Sequence, residues 1–128
     1  MKAAITAIGG YVPEYVLTNA ELETMVETND EWITTRTGIK ERRILKPEEG
    51  RGASYLAIKA VEAMKEEYGV SVEDVDLVIL ASVTGDMPVA ITSAYIAQEI
   101  GAKNAYAFDL QAACSSFLYA VSNAAAYI

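Results

Sequence analysis

The chain of 128 residues contains no histidine. That absence excludes a Cys–His or Ser–His pair built within these residues, and any histidine-ligated metal site. There is one cysteine, Cys114, so no internal disulfide forms, which fits a reducing, cytoplasmic setting. No apolar run approaches the length that spans a bilayer, so no membrane association is expected. The opening MKAAITAIGGYVPEY is too poor in apolar residues for a signal peptide and reads instead as a first strand. Basic groups are outnumbered, with 10 Lys and Arg against 18 Asp and Glu and a formal charge of −8. Such a balance argues against general nucleic-acid binding.

What is present is a globular composition, 52% apolar and 22% charged, of a length that makes one ordinary core. The charge is unevenly spread. Residues 1–35 hold one Lys and six acids, whereas residues 36–51 hold six basic groups (Arg36, Lys40, Arg42, Arg43, Lys46, Arg51) and three acids (Glu41, Glu48, Glu49). A basic island of this kind either holds a small anionic ligand or is a solvated surface loop. Charge alone does not choose between them.

Hydrophobic periodicity and breakers give the elements. Ala3 to Gly9 predicts a strand. Thr18-Asn19-Ala20-Glu21 predicts a capping box opening a short helix to about Val26. Thr28-Asn29-Asp30-Glu31 predicts a second box, opening a helix that carries Trp32 and stops at Gly38. Ile39 to Leu45 predicts a short exposed strand or hairpin arm, and Lys46 to Gly52 a polar loop. Ala57, Ala60, Val61, Met64 and Tyr68 recur at helical spacing and predict a helix from Ser54 to Tyr68, stopped by Gly69. Leu77 to Ala81 is a continuous apolar run, as in a parallel strand covered on both faces. Thr92 to Ile100 predicts a helix ended by Gly101. Asn104 to Leu110 predicts a strand and Cys114 to Ile128 a helix. Strands alternating with helices imply a parallel, layered α/β architecture. The chain ends at or within an apolar helix, which suggests truncation.

The last segment carries the chemistry. CSSFLYAVSNAAAYI has no charged face, as expected of a helix buried within a protein. Cys114 would sit at its start, just after a strand. Unpaired backbone N–H groups and the positive end of the helix dipole favour a thiolate there, and can hold the oxyanion of a thioester under attack. The other reading is an inert cysteine packed like alanine. Position leaves the two open.

AFDLQAACSSF is similar to the nucleophile segment of the β-ketoacyl-acyl-carrier-protein synthase III family. TNDEWITTRTGIKERRI, residues 28–44, resembles the coenzyme A segment of that family, and IGGYVPEYVLTNAELE resembles its first strand and helix. The resemblance implies a thiolase-like layered α/β fold. Residues 1–128 would supply its incomplete first half, ending before the last strand of that half. It implies that Cys114 accepts an acyl group, typically acetyl, from acyl-coenzyme A. The complete enzyme would then condense that group with malonyl-acyl carrier protein, with loss of carbon dioxide, to start fatty-acid synthesis. Acyl-coenzyme A would be a substrate, with no tightly bound cofactor and no metal, and the complete enzyme would be a cytoplasmic homodimer.

By the same resemblance Trp32 stacks on adenine, and Arg36 and Thr28 also contact coenzyme A. Trp32 as a core anchor, Arg36 as a surface ion-pair residue and Thr28 as a helix cap are the plainer alternatives. Val89 replaces the Phe of a Phe-Pro pair common in relatives. The resemblance places it in a loop lining the acyl pocket across a dimer, where a smaller side chain admits longer or branched primers. The family pairs its cysteine with a His and an Asn from later in the chain. With no histidine here, the 128 residues alone are expected to lack condensing activity and to leave the apolar faces of the Cys114 helix uncovered. The neighbouring readings are a hydroxymethylglutaryl-coenzyme A synthase, a polyketide starter synthase, or a coenzyme A-binding α/β module with an inert cysteine.

Overall fold

The computed structural model describes residues 3–46 and 51–128. It divides into a hairpin unit, Val12–Arg51, and an α/β unit made of the segment up to Tyr11 together with Gly52–Ile128.

In the hairpin unit, β1 (Val16–Thr18) pairs antiparallel with β2 (Glu41–Arg43), with Leu17 opposite Arg42. The hairpin arm expected over Ile39 to Leu45 is therefore present. Between the strands lie α1 (Asn19–Leu22) and α2 (Asp30–Thr37). Thr18 caps α1 as expected, its Oγ1 accepting from the Glu21 N–H at 3.2 Å. The helix is one turn long, not two. The Thr24 hydroxyl bonds the Glu21 carbonyl at 2.7 Å, a local alternative to the helical ladder, and residues 23–26 continue as turns.

The second cap differs from expectation by one residue. Asn29, not Thr28, caps α2, its Oδ1 accepting from the Trp32 N–H at 2.7 Å. Asparagine is the better N-cap of the two. The Asp30 N–H, another donor that the first turn leaves unpaired, reaches the Glu23 carboxylate at 2.6 Å. Gly38 ends α2 at φ 73°, a left-handed conformation that a side chain would strain.

The α/β unit follows the predicted order. Its elements are α3 (Ala53–Tyr68), β3 (Leu77–Ala81), α4 (Thr92–Ile100), β4 (Tyr106–Leu110) and α5 (Ser116–Tyr127). A single 3₁₀ turn, Ala113–Ser115, leads into α5. β3 and β4 are parallel, with Leu77 opposite Tyr106 and Ala81 opposite Leu110. Alternation along the strands separates two faces. Leu77 and Ile79 face Ala120, Val121 and Ala124 of α5 across a shared hollow, and Tyr106 and Phe108 meet the Tyr127 ring. Ala107 and Asp109 face α4. Helices α4 and α5 thus cover opposite sides of the strand pair, and α3 packs on α4.

Three expectations change here. Ala3 to Gly9 forms no strand among the described residues. Gly9 instead lies flat on α3, where a Cβ would come within 2.4 Å of the Ala60 carbonyl oxygen. β3 is half-buried along its length rather than covered on both faces. Its α5-facing side borders an open hollow. Helix α5 is not buried: Phe117, Leu118 and Tyr119 are mostly exposed. That agrees with apolar faces left uncovered in these 128 residues. Of the polar loop expected over Lys46 to Gly52, residues 47–50 lie outside the described residues.

Two helices of this unit take their caps from distant residues. Gly52 has no side chain to cap α3, and the Asp86 carboxylate accepts from the Ser54 N–H at 3.2 Å instead. Ile91 offers no polar cap to α4, and Asp109 on β4 accepts from the Thr92 and Ser93 N–H groups at 2.9 and 2.8 Å. Partial burial pushes the Asp109 carboxyl up. The nearby Ser93 hydroxyl, which lacks good hydrogen-bond geometry, and the two backbone donors outweigh this and hold it below the ordinary carboxylate value.

Candidate functional site

Cys114 lies in the 3₁₀ turn between β4 and α5, and its free thiol is exposed. In these 128 residues the thiol is not packed into a core, and exposure alone does not separate a reactive cysteine from an inert one. The preceding residue, Ala113, has φ 46° and is the non-glycine residue with positive φ among the described residues. A left-handed L-residue costs roughly 1–2 kcal/mol, and strain of this kind collects where a side chain must be presented in a set direction. The turn is locked from below. The buried Ser116 hydroxyl accepts from the Ala112 N–H at 2.7 Å, and the Ser115 N–H donates to the Ala112 carbonyl at 3.0 Å. Neither Ala113 nor Ser116 was singled out from sequence. The run Ala-Ala-Cys-Ser-Ser gave the small side chains, but not the backbone sign.

Val89 belongs to the same unit, on the loop between β3 and α4, and is 95% exposed. The described residues give its side chain no enclosing pocket.

The other three predicted residues lie together in the hairpin unit. Trp32 is 52% exposed in these residues, while Ile33 beside it is the buried residue of α2. The Arg36 guanidinium sits 4.5 Å from the Trp32 ring centroid, one turn along the same helix face. It forms no ion pair among the described residues. An indole with a cation against its face is a platform for a flat, anionic ligand. Thr28 joins Glu27, Asn29 and Trp32 around a hollow of about 270 Å³. That space falls below the usual range for a whole drug-sized ligand, and suits a single ring system. Thr28 does not cap α2, so its reading as a cap fails.

The basic island is partly committed to the fold. Arg42 donates to the Asn19 amide oxygen at 2.6 Å. Arg43 donates to the Pro13 and Glu14 carbonyls. The Lys46 ammonium rests 4.0 Å over the Tyr15 ring. The reading of these residues as a solvated loop is therefore incomplete. Among the described residues no cluster of three or more His, Cys, Asp or Glu is placed to hold a metal, and no helix is long and apolar enough to cross a membrane.

No family model matches the chain. Individual relatives do. The β-ketoacyl-[acyl-carrier-protein] synthase III of Azobacteroides pseudotrichonymphae is 53% identical over 128 residues, all of this chain and 38% of that protein. The synthase III 2 of Bacteroides thetaiotaomicron is 52% identical with the same coverage. The chain is homologous to part of a β-ketoacyl-[acyl-carrier-protein] synthase III. It spans about 38% of the length of these curated relatives. Among solved structures, the Thermus thermophilus synthase III superposes on 97% of the chain with a TM-score of 0.90 at 44% identity, covering 38% of that structure. The priming β-ketosynthase of the R1128 polyketide pathway superposes on 93% with a TM-score of 0.85 at 39% identity, covering 35% of that structure. The α/β layering is therefore that of synthase III, an incomplete thiolase-like fold.

Proposed function

We propose that this chain carries the nucleophile and the nucleotide platform of a β-ketoacyl-acyl-carrier-protein synthase III. The observation that carries the reading is the presentation of Cys114. It is an exposed thiol on a strand-to-helix turn with a left-handed Ala113, in a sequence similar to synthase III throughout.

The Cys114 thiolate attacks the thioester carbonyl carbon of acyl-coenzyme A. Backbone N–H groups near the start of α5 offer donors to the oxyanion. Collapse expels the coenzyme A thiolate, which takes up a proton, and leaves an acyl group on sulfur. A thiol suits both halves of the reaction, because it attacks a thioester readily and leaves as readily. Malonyl-acyl carrier protein then loses carbon dioxide, and the resulting carbanion attacks the acyl-Cys114 carbonyl. The β-ketoacyl carrier protein forms and Cys114 leaves as the thiolate. Decarboxylation calls for a His and an Asn beside the cysteine, and these 128 residues hold no histidine. The chain alone therefore condenses nothing.

Trp32 offers its face to adenine, Arg36 offers charge to the phosphates, and Thr28 lines the hollow beside them. Val89 tunes the primer pocket in a homodimer. A cytoplasmic location and acyl-coenzyme A as substrate, without a bound cofactor, complete the proposal. A polyketide starter role is the second reading, favoured by the likeness to the R1128 priming enzyme.

The test is a chimera in which this chain replaces the matching residues of the Bacteroides thetaiotaomicron relative. With acetyl-coenzyme A, intact mass should rise by about 42 Da, the acetyl group on one thiol, with the adduct mapped to Cys114. Addition of malonyl-acyl carrier protein should discharge it. A folded chimera that binds coenzyme A yet never acylates Cys114 would favour a binding module with an inert cysteine. Discharge only by a polyketide carrier protein would favour the second reading.

A further inference from the structure

Helix α2 has little apolar surface with which to fix its own orientation. Its sequence DEWITTRT has two apolar side chains, Trp32 and Ile33. They are adjacent, so they point about 100° apart around the helix. Ile33 is buried and Trp32 is exposed. One buried isoleucine anchors a helix without setting its rotation closely. Something else must aim the indole.

The side chain of Asn19 is placed to do so. It is 2% exposed, and its carboxamide is bonded on every side. Nδ2 donates to Asp30 Oδ1 at 2.7 Å and to the Ile39 carbonyl at 2.8 Å, with Thr34 Oγ1 at 3.5 Å. Oδ1 accepts from Arg42 Nη1 at 2.6 Å. The Asn19 backbone N–H donates to the Lys40 carbonyl at 3.2 Å. Asp30 opens α2, and Ile39 follows the glycine that closes it. A single amide therefore grips both ends of α2 and ties them to β2 through Arg42. Directed bonds in a buried site fix angle as well as distance.

The geometry assigns Asn19 as the positioning residue that orients the Trp32–Arg36 platform for the nucleotide of coenzyme A. This role rests on the proposed coenzyme A binding, but the rigidity of the platform is measurable without any ligand. The polarity of the node is asymmetric. An amide presents donors to Asp30 and Ile39 and an acceptor to Arg42, whereas a carboxylate would satisfy Arg42 and oppose Asp30. The hydrogen bonds from Asn19 and Thr34 hold the Asp30 carboxyl below its ordinary value. The charged groups around the node are Asp30 on α2, Arg42 on β2, Lys40 beside it, and Glu23, which bonds the Asp30 N–H.

The experiment uses these 128 residues, in which Trp32 is the one tryptophan and its fluorescence reports from the platform itself. Time-resolved anisotropy without ligand, and quenching by added coenzyme A, are compared for wild type, Asn19→Ala and Asn19→Asp between about pH 8 and about pH 5. Asn19→Ala should free the indole and weaken coenzyme A binding at least about tenfold, equivalent to about 1.4 kcal/mol. Asn19→Asp should behave likewise at the higher pH and regain wild-type anisotropy on acidification, as one proton comes to be shared with Asp30. That pH reversal would not arise from a merely space-filling role. Should Asn19→Ala lose its fold by circular dichroism, Asn19→Asp decides alone. Unchanged anisotropy in the folded variants, or a loss in Asn19→Asp that acid does not repair, would overturn the assignment. If wild type itself fails to bind coenzyme A, the functional reading falls while the anisotropy series still decides the role of Asn19.

Discussion

Among the described residues, the hairpin unit buries one apolar side chain, Ile33, and one polar side chain, Asn19. The α/β unit buries Val72, Ile96, Ala97 and Ala102 alongside Ser54, Thr92, Ser93 and Ser116. The first unit is aimed by directed hydrogen bonds and the second is assembled by packing. Directed bonds hold a small polar platform at a set angle with little area. Packing builds the layers that present Cys114 on its strained turn. Under the proposed function the contrast separates recognition from chemistry, and each half can be damaged without the other.

The largest effect should come from Cys114→Ala in the chimeric synthase. Acylation should vanish while quenching of Trp32 by coenzyme A is retained. A loss of both signals would break the division of labour.

Next is Ile33→Ala. Truncating a buried isoleucine costs about 2–5 kcal/mol, and the described residues of the hairpin unit include no second buried apolar side chain to share the loss. The near-ultraviolet signal of Trp32 should collapse, while hydrogen exchange in β3 and α4 stays as in wild type. Ile96→Ala, with the same chemistry in the better-packed unit, should lower the melting temperature and leave the Trp32 signal alone.

Asp109→Ala should cost about 1–2 kcal/mol, the usual worth of a helix N-cap. Because folding lowers the Asp109 carboxyl pKa, its contribution is complete above the ordinary carboxylate value near pH 4. It drains away as pH falls through the lowered one. The wild-type chain should therefore lose stability in acid more steeply than Asp109→Ala, as read by urea midpoints across that range. The hairpin signal should not follow this slope.

The smallest effect concerns Val89. In the chimera, Val89→Phe should shift primer choice toward acetyl by about 1 kcal/mol, the low end of what one substrate methylene is worth in an apolar pocket. A competition assay between acetyl- and branched acyl-coenzyme A reads it. Unaltered selectivity would remove Val89 from the pocket.

Much of the α/β unit was legible in sequence because its signals are local. The apolar run Leu77 to Ala81 and the glycines after α3 and α4 match the observed bounds and left-handed stops. The roles of Cys114, Trp32 and Arg36 came from family resemblance, and the structure places Arg36 against Trp32 as their four-residue helical spacing implies. What escaped is nonlocal. The caps from Asp86 and Asp109 depend on a loop and a strand that meet their helices only in three dimensions. Asn19 read as the second residue of a capping box, and its role emerges only when Asp30, Ile39 and Arg42 converge on it. The strand expected at Ala3 to Gly9 failed because apolar alternation specifies an extended chain but not a hydrogen-bonding neighbour.

The borrowed caps also set an order of events while the chain is being made. Ser54 waits for Asp86, 32 residues later, and Thr92 waits for Asp109, 17 residues later. Until those residues leave the ribosome, α3 and α4 emerge with their first N–H groups open to water and without the tertiary packing from which most helical stability comes. Each helix is therefore capped only when its distant carboxylate has arrived, α3 once Asp86 has emerged and α4 after it, once Asp109 has.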